Sequence, residues 1–134
     1  MDITIIDGQG GGIGKQLIMA LKENFPGVCI TAVGTNSLAT SAMLKAGAQY
    51  GATGENAVVV ACREADIIIG PIGIVIADSL LGEITPKMAA AVAQSSATRL
   101  LIPVNLCRNI VVGIPDLNVS GLIRETVDAV RRIV

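Results

Sequence analysis

The chain opens Met1-Asp2-Ile3-Thr4-Ile5-Ile6-Asp7-Gly8-Gln9-Gly10-Gly11-Gly12-Ile13-Gly14-Lys15, a β-branched run that stops at Asp7 and passes into a cluster of five glycines. A short, continuously apolar run of this kind suits a strand buried on both faces. Glycines permit positive φ and let a bound group approach the main chain without a Cβ in the way. From Gly14 the apolar residues Leu17, Ile18, Leu21 and Phe25 recur at helical spacing until Pro26-Gly27 ends the element. Strand, glycine turn and helix form the opening unit of a parallel α/β sheet. The N-terminus of such a helix offers free N–H groups and the positive end of its dipole to an anion.

The remaining chain repeats the alternation. Residues 28–33 (VCITAV) read as the second strand, and 38–46 as a helix capped by Thr35 or Ser37 and stopped at Gly47. Residues 48–54 have room for one brief edge strand. The segment 55–64 (ENAVVVACRE) reads as a helix, although AVVVA alone also suits a strand. Residues 66–69 (DIII) make an apolar strand that breaks at Gly70-Pro71, and 72–82 are a mixed loop and short helix. Thr85-Pro86 is an N-cap followed by proline at the first helical position, opening an alanine-rich helix through Gln94. Residues 99–104 (RLLIPV) and 109–113 (NIVVG) are two further strands. A final amphipathic helix runs from about 119 to 133, with Leu122, Ile123, Val127, Val130 and Val134 on its apolar side. No repeat or linker interrupts the chain. The expectation is one domain over residues 1–134, an α/β, Rossmann-like doubly wound, mostly parallel sheet in three layers, α/β/α.

Composition narrows the function. Half of the 134 residues are hydrophobic (51%) but only 1% aromatic, so the core has to be aliphatic. A formal net charge of −1 and the lack of any Lys/Arg run argue against a nucleic-acid partner. The longest uncharged apolar stretch, 67–77, contains Gly70, Pro71 and Gly73. It falls short of the ~18–20 residues that span a bilayer, so no membrane segment is expected. Acids stand where an export signal needs bases, and Cys29, Cys62 and Cys107 form an odd, widely spaced set. Both point to reduced thiols in a cytoplasmic protein. Without histidine or a CxxC pair no metal site is expected.

The glycine cluster carries the main chemical signal. GxGxxG fails from either start, because Ile13 and Lys15 stand where its last glycine belongs. The pattern GxxxxGK[ST] fails at Gln9 and Gln16. GxxxGxG fits through Gly8, Gly12 and Gly14, and in that form the segment resembles the cofactor turn of short-chain dehydrogenases. That likeness ends at the turn, since Tyr50 is followed four residues later by Gly54 and not by the lysine those enzymes use. The GGxGK core is also similar to the deviant P-loop of partitioning ATPases, but Gly10 replaces its signature lysine and Gln16 removes the metal-binding hydroxyl.

NAD sites usually place Asp or Glu about 20 residues beyond the glycines, at the end of the second strand, and NADP sites an Arg nearby. Here that position reads Val33-Gly34-Thr35-Asn36-Ser37. Thr35, Asn36 and Ser37 are able to hydrogen-bond a ribose or its 2′-phosphate, or simply to cap the next helix. Asp7 would repel a phosphate, which suggests a ribose, an amine or a metal-held water, or a carboxylate that caps the glycine turn through backbone N–H groups.

Ligands of doubly wound sheets sit where the strand order reverses, here between the first strand and 66–69. Gly70-Pro71-Ile72-Gly73 should therefore face the glycine turn. Asn105, Cys107, Arg108 and Asn109 gather at the same rim, either as ligand contacts or as a plain turn. Asp78-Ser79 interrupts an apolar run and is a further candidate. Glu83 reads as a helix-start feature before Thr85-Pro86.

Taken whole, from DGQGGGIGK through IIIGPIGIVIADSLLGEITP to LIPVNLCRNIVVG, the chain resembles a family of short bacterial proteins of unknown function with a Rossmann-like fold. The resemblance implies that fold and a cytoplasmic bacterial setting, and no activity comes with it. The functional expectation is a homo-oligomer that binds a nucleotide or dinucleotide, NAD or NADP, as a binding or sensing module. Its site is Gly8, Gln9, Gly10, Gly11, Gly12, Ile13, Gly14 and Lys15, with Gly34, Thr35, Asn36, Gly70, Pro71, Ile72, Gly73 and Asn105 around it. One rival is a small enzyme completed at a subunit interface, with Asp7, Asp78, Cys107 and Arg108 as working groups. Another is an assembly partner with a relict site. The apolar surplus in 72–81 suggests a subunit interface.

Overall fold

Apart from Asp2, every residue of the first strand, β1 (Asp2–Asp7), is buried, so the chain must cover it on both faces and both edges. The computed structural model, which describes residues 1–104, 106 and 108–134, shows how. After β1 come α1 (Gly12–Asn24), β2 (Cys29–Gly34), α2 (Ser37–Lys45), β3 (Tyr50–Thr53), α3 (Glu55–Glu64) and β4 (Ile67–Pro71). A single 3-10 turn (Ile72–Val75), α4 (Pro86–Gln94), β5 (Thr98–Ile102) and α5 (Val119–Ile133) complete the chain. The sheet order is β3-β2-β1-β4-β5 and every pairing is parallel. That is the order of the first five strands of the doubly wound dinucleotide-binding fold.

Alternation along β1 divides the core in two. Ile3 and Ile5 point toward α1, α2 and α5, where they meet Leu17, Ile18, Leu21, Met43, Ile123 and Val130. Ile6 points the other way, toward Val58, Cys62, Ile74, Ile84, Met88 and Val92 of α3, α4 and the loop between β4 and α4. The core is aliphatic, as the composition requires. Phe25 packs only at its margin, and Tyr50 is 65% exposed on the edge strand β3.

Several local expectations change. Residues 109–113 are not a strand: Ile110 and Val112 lie 86% and 91% exposed, and the segment ends in a turn with Gly113 at φ +84°. β-branched composition gives a segment the tendency to extend, but a strand also needs a ladder partner and a face to bury. Of the three residues able to cap α2, Thr35, Asn36 and Ser37, it is Asn36 whose side chain does so, accepting from the Ala39 amide at 2.9 Å. The apolar loop after β4 is largely internal. Ile74, Leu80 and Ile84 are core residues, and Leu81 alone of its large apolar side chains is fully exposed, at 95%. Val134 also leaves the apolar side of α5, where Ile123, Val127 and Val130 are the buried residues.

Candidate functional site

β1 pairs with β2 on one side and β4 on the other, so the turn from β1 into α1 opens at the reversal of strand order, beside the carboxyl ends of both neighbours. Asp7 pairs with Gly34 at that end of the sheet, and Asp7 O accepts from the Thr35 amide at 3.0 Å.

The Asp7 side chain is 5% exposed and turns back onto the glycine segment. Its Oδ1 accepts from the Gly8 amide at 2.8 Å and its Oδ2 from the Gly14 amide at 2.7 Å. Burial pushes its carboxyl above the ordinary carboxylate range, the amides of Gly14, Gly8 and Ile13 pull it back, and the charge of Glu83 adds to the rise. Asp7 thus ties the two ends of the glycine turn together, one oxygen on the Gly8 amide and the other on the Gly14 amide.

The five glycines divide into two kinds. A Cβ on Gly8 would stand 2.7 Å from Thr35 Oγ1; on Gly11, which sits at φ +73°, 2.9 Å from the Ala39 backbone; on Gly14, 2.9 Å from Met43 Cγ. Gly8 thus lets the end of β1 lie close to Thr35 and the loop that carries Glu83, and Gly11 and Gly14 let α1 pack closely on α2. Gly10 and Gly12 differ, because a Cβ on either would meet nothing within 4 Å and neither has positive φ. Both are exposed at the N-terminal end of α1, and among the described residues neither amide has a hydrogen-bond partner.

Across the opening lies Glu83, carried by the loop between β4 and α4. One of its oxygens, Oε1, accepts three hydrogen bonds: from Thr35 Oγ1 at 2.5 Å, Asn36 Nδ2 at 2.7 Å and the Gln9 amide at 3.0 Å. Asn36 Nδ2 also donates to Gln9 O at 2.9 Å, so the end of β2, the glycine turn and the distant loop share one polar junction. Burial raises the Glu83 carboxyl, but the bonds from Thr35, Gln9 and Asn36 outweigh it and hold the group below its usual value. Main-chain strain gathers here. Gln9, Asp78, Leu80 and Leu81 all adopt left-handed φ between +51° and +66°. For non-glycine residues such conformations cost of order 1–3 kcal/mol each and persist only where the surroundings impose them.

The other expected site residues scatter. Gly34 is explained by packing, since a Cβ there would meet the Thr40 amide at 2.6 Å. Gly70 lies against the Ile6 carbonyl, Pro71 ends β4 opposite Ile102, and Gly73 accepts a hydrogen bond from Ser79 Oγ. The loop after β4 reaches the glycine turn further along, through Leu80, 3.0 Å from a Cβ on Gly8, and through Glu83. Ile13 is half-buried against the core, while Lys15, Asp78 and Arg108 are exposed. Arg108 makes no hydrogen bond or ion pair among the described residues, and Asn105 and Cys107 lie outside them. No group of three or more metal-ligating side chains occurs among the described residues, and no helix there is long and apolar enough to cross a membrane.

Sequence reasoning missed Glu83 as a site residue. Its position two residues before Thr85-Pro86 suggested a helix-start role, and Thr85 does cap α4, accepting from the Met88 amide at 3.2 Å. The only local hint was an acid left over in an apolar loop.

The family model described as a domain of unknown function, DUF3842, matches residues 2–134. No curated protein matches the chain. Among solved structures the chain is similar, at 18% identity and a TM-score of 0.49, to the dodecameric FMN-dependent Ubix-like decarboxylase from Escherichia coli O157:H7. The match covers 98% of this chain and 75% of that one.

Proposed function

The chain belongs to the DUF3842 family of unknown function, and from that starting point we propose that it binds a nucleotide, foremost a nicotinamide dinucleotide, at the turn between β1 and α1. It acts as a binding or sensing module. The observation that carries this reading is the pair Gly10 and Gly12. Neither needs glycine for its φ or for packing. A ligand that approaches the main chain closely does need a bare backbone at both. Their amides lie where the dipole of α1 favours negative charge, the usual place for a pyrophosphate in this fold. Lys15 adds a positive charge on the first turn of the helix. Asp7 already takes the Gly8 and Gly14 amides, so the phosphates belong over Gly10 and Gly12 and away from that carboxylate.

The test is thermal-shift and calorimetric titration with NAD, NADP, ATP, FMN and S-adenosylmethionine, on the wild type and on Gly12→Val. The expected result is saturable binding of a nicotinamide dinucleotide by the wild type and its loss in the variant, with the unliganded melting temperature kept. No response to any of the five at millimolar concentration overturns the proposal.

A further inference from the structure

We infer that Glu83 is the group that reads the ribose of the bound nucleotide, and that it makes the site prefer a ribose with both hydroxyls free over one carrying a 2′-phosphate. The inference rests on the nucleotide reading above and adds to it the identity of the selecting residue. In this fold an acid at the end of the second strand ordinarily meets the ribose hydroxyls, and the end of β2 here, Gly34-Thr35-Asn36, has none. The structure supplies one from elsewhere. Thr35 and Asn36 hold the Glu83 carboxylate at the end of β2, and the Gln9 amide fixes it to the glycine turn.

Three features suit that carboxylate to a diol. All three bonds converge on Oε1, and Oε2 accepts none among the described residues. An ionised carboxylate only accepts hydrogen bonds, and a ribose diol offers two O–H donors beside it. The side chain is also held in place before any ligand arrives, so binding does not have to order it. The three groups that hold Glu83 are neutral, a hydroxyl, a side-chain amide and a backbone amide. None of them is a cation able to offset the repulsion between Glu83 and a 2′-phosphate.

Dissociation constants of the wild type, Glu83→Gln and Thr35→Val for NAD and NADP provide the test, with 2′-deoxy-NAD as a third ligand. The wild type is expected to bind NAD at least about tenfold more tightly than NADP and than the 2′-deoxy analogue, the scale of one charge-assisted hydrogen bond. Glu83→Gln should bring all three constants to within a few-fold of one another. Thr35→Val, which keeps the charge but frees the carboxylate, should weaken NAD and leave NADP disfavoured; this variant carries the test if Glu83→Gln does not fold. Equal wild-type affinities for NAD and NADP, a preference for NADP, or an unchanged ratio in a folded Glu83→Gln overturns the inference while the nucleotide reading stands. A wild type that binds none of these ligands overturns both.

Discussion

Thr35 Oγ1 donates to Glu83 Oε1 at 2.5 Å, joining the end of β2 to the loop between β4 and α4 across 48 residues of chain. The bond lies over a turn whose own carboxylate, Asp7, faces inward. The site therefore has two acids with opposite placements, one buried against amides of the turn and one held at its mouth.

The two glycine kinds should separate in stability measurements. Gly14→Ala forces a Cβ against Met43 and Asp7, and overpacking of this kind costs typically ~1–3 kcal/mol. Gly12→Ala meets open space and should match or slightly exceed the wild type, because alanine favours a helix more than glycine does. Urea denaturation of the two variants, at constant m-value, checks the contrast.

The two acids should also oppose one another with pH. Glu83 is held below its usual value, so the stability it contributes is present above its unfolded value, about 4.3. That contribution is lost as pH falls through the lower folded value. Asp7 is pushed up. Its contribution is complete below its unfolded value, about 3.9, and is lost as pH rises through the higher folded value. The stability advantage of wild type over Glu83→Gln should accordingly shrink on acidification, whereas that of wild type over Asp7→Asn should grow. Parallel trends in the two differences would contradict the assignment.

The junction itself can be measured by a double-mutant cycle. Thr35→Val and Glu83→Gln should show a coupling energy of ~0.5 kcal/mol or more, as directly bonded side chains do. Asn36→Ala also removes the cap of α2 and should cost about 1–2 kcal/mol alone. A coupling of zero between positions 35 and 83 would mean that the 2.5 Å bond does not hold in solution.

Cys62 is 3% exposed, and burial pushes its thiol up to about 11. Iodoacetamide at pH 8 should leave it unmodified in the native protein and alkylate it once urea is added, because the thiolate is the reactive form. Rapid native labelling, read by peptide mass spectrometry, would show that α3 does not protect it.

Leu81, Ile110 and Val112 leave large apolar surface in water, the kind of surface that self-association covers. Sedimentation velocity of the wild type is expected to show an oligomer that Leu81→Asp or Val112→Asp weakens. A wild type that stays monomeric at high micromolar concentration removes this part of the functional reading.

Most of the architecture was legible in the residues. The DIII run of β4, the ITII run of β1 and the Thr85-Pro86 cap each carry their signal within a few positions, because periodicity and capping are local properties of the chain. Strand, glycine turn and helix were readable for the same reason, and they sufficed to locate the reversal point between β1 and β4. The sequence alone could not tell Gly12 from Gly14. Whether a glycine is there for packing depends on what the folded chain brings within reach of its missing Cβ, which is Met43 for Gly14 and nothing for Gly12. Residues 109–113 had strand composition, but a strand exists only where a neighbour completes its ladder. Glu83 shows the limit most clearly. Residue type gave it a charge and chain position gave it a helix to precede, yet its role follows from three donors that converge on one oxygen only after the parallel crossovers have set β2 beside β1 and the loop after β4 across from them.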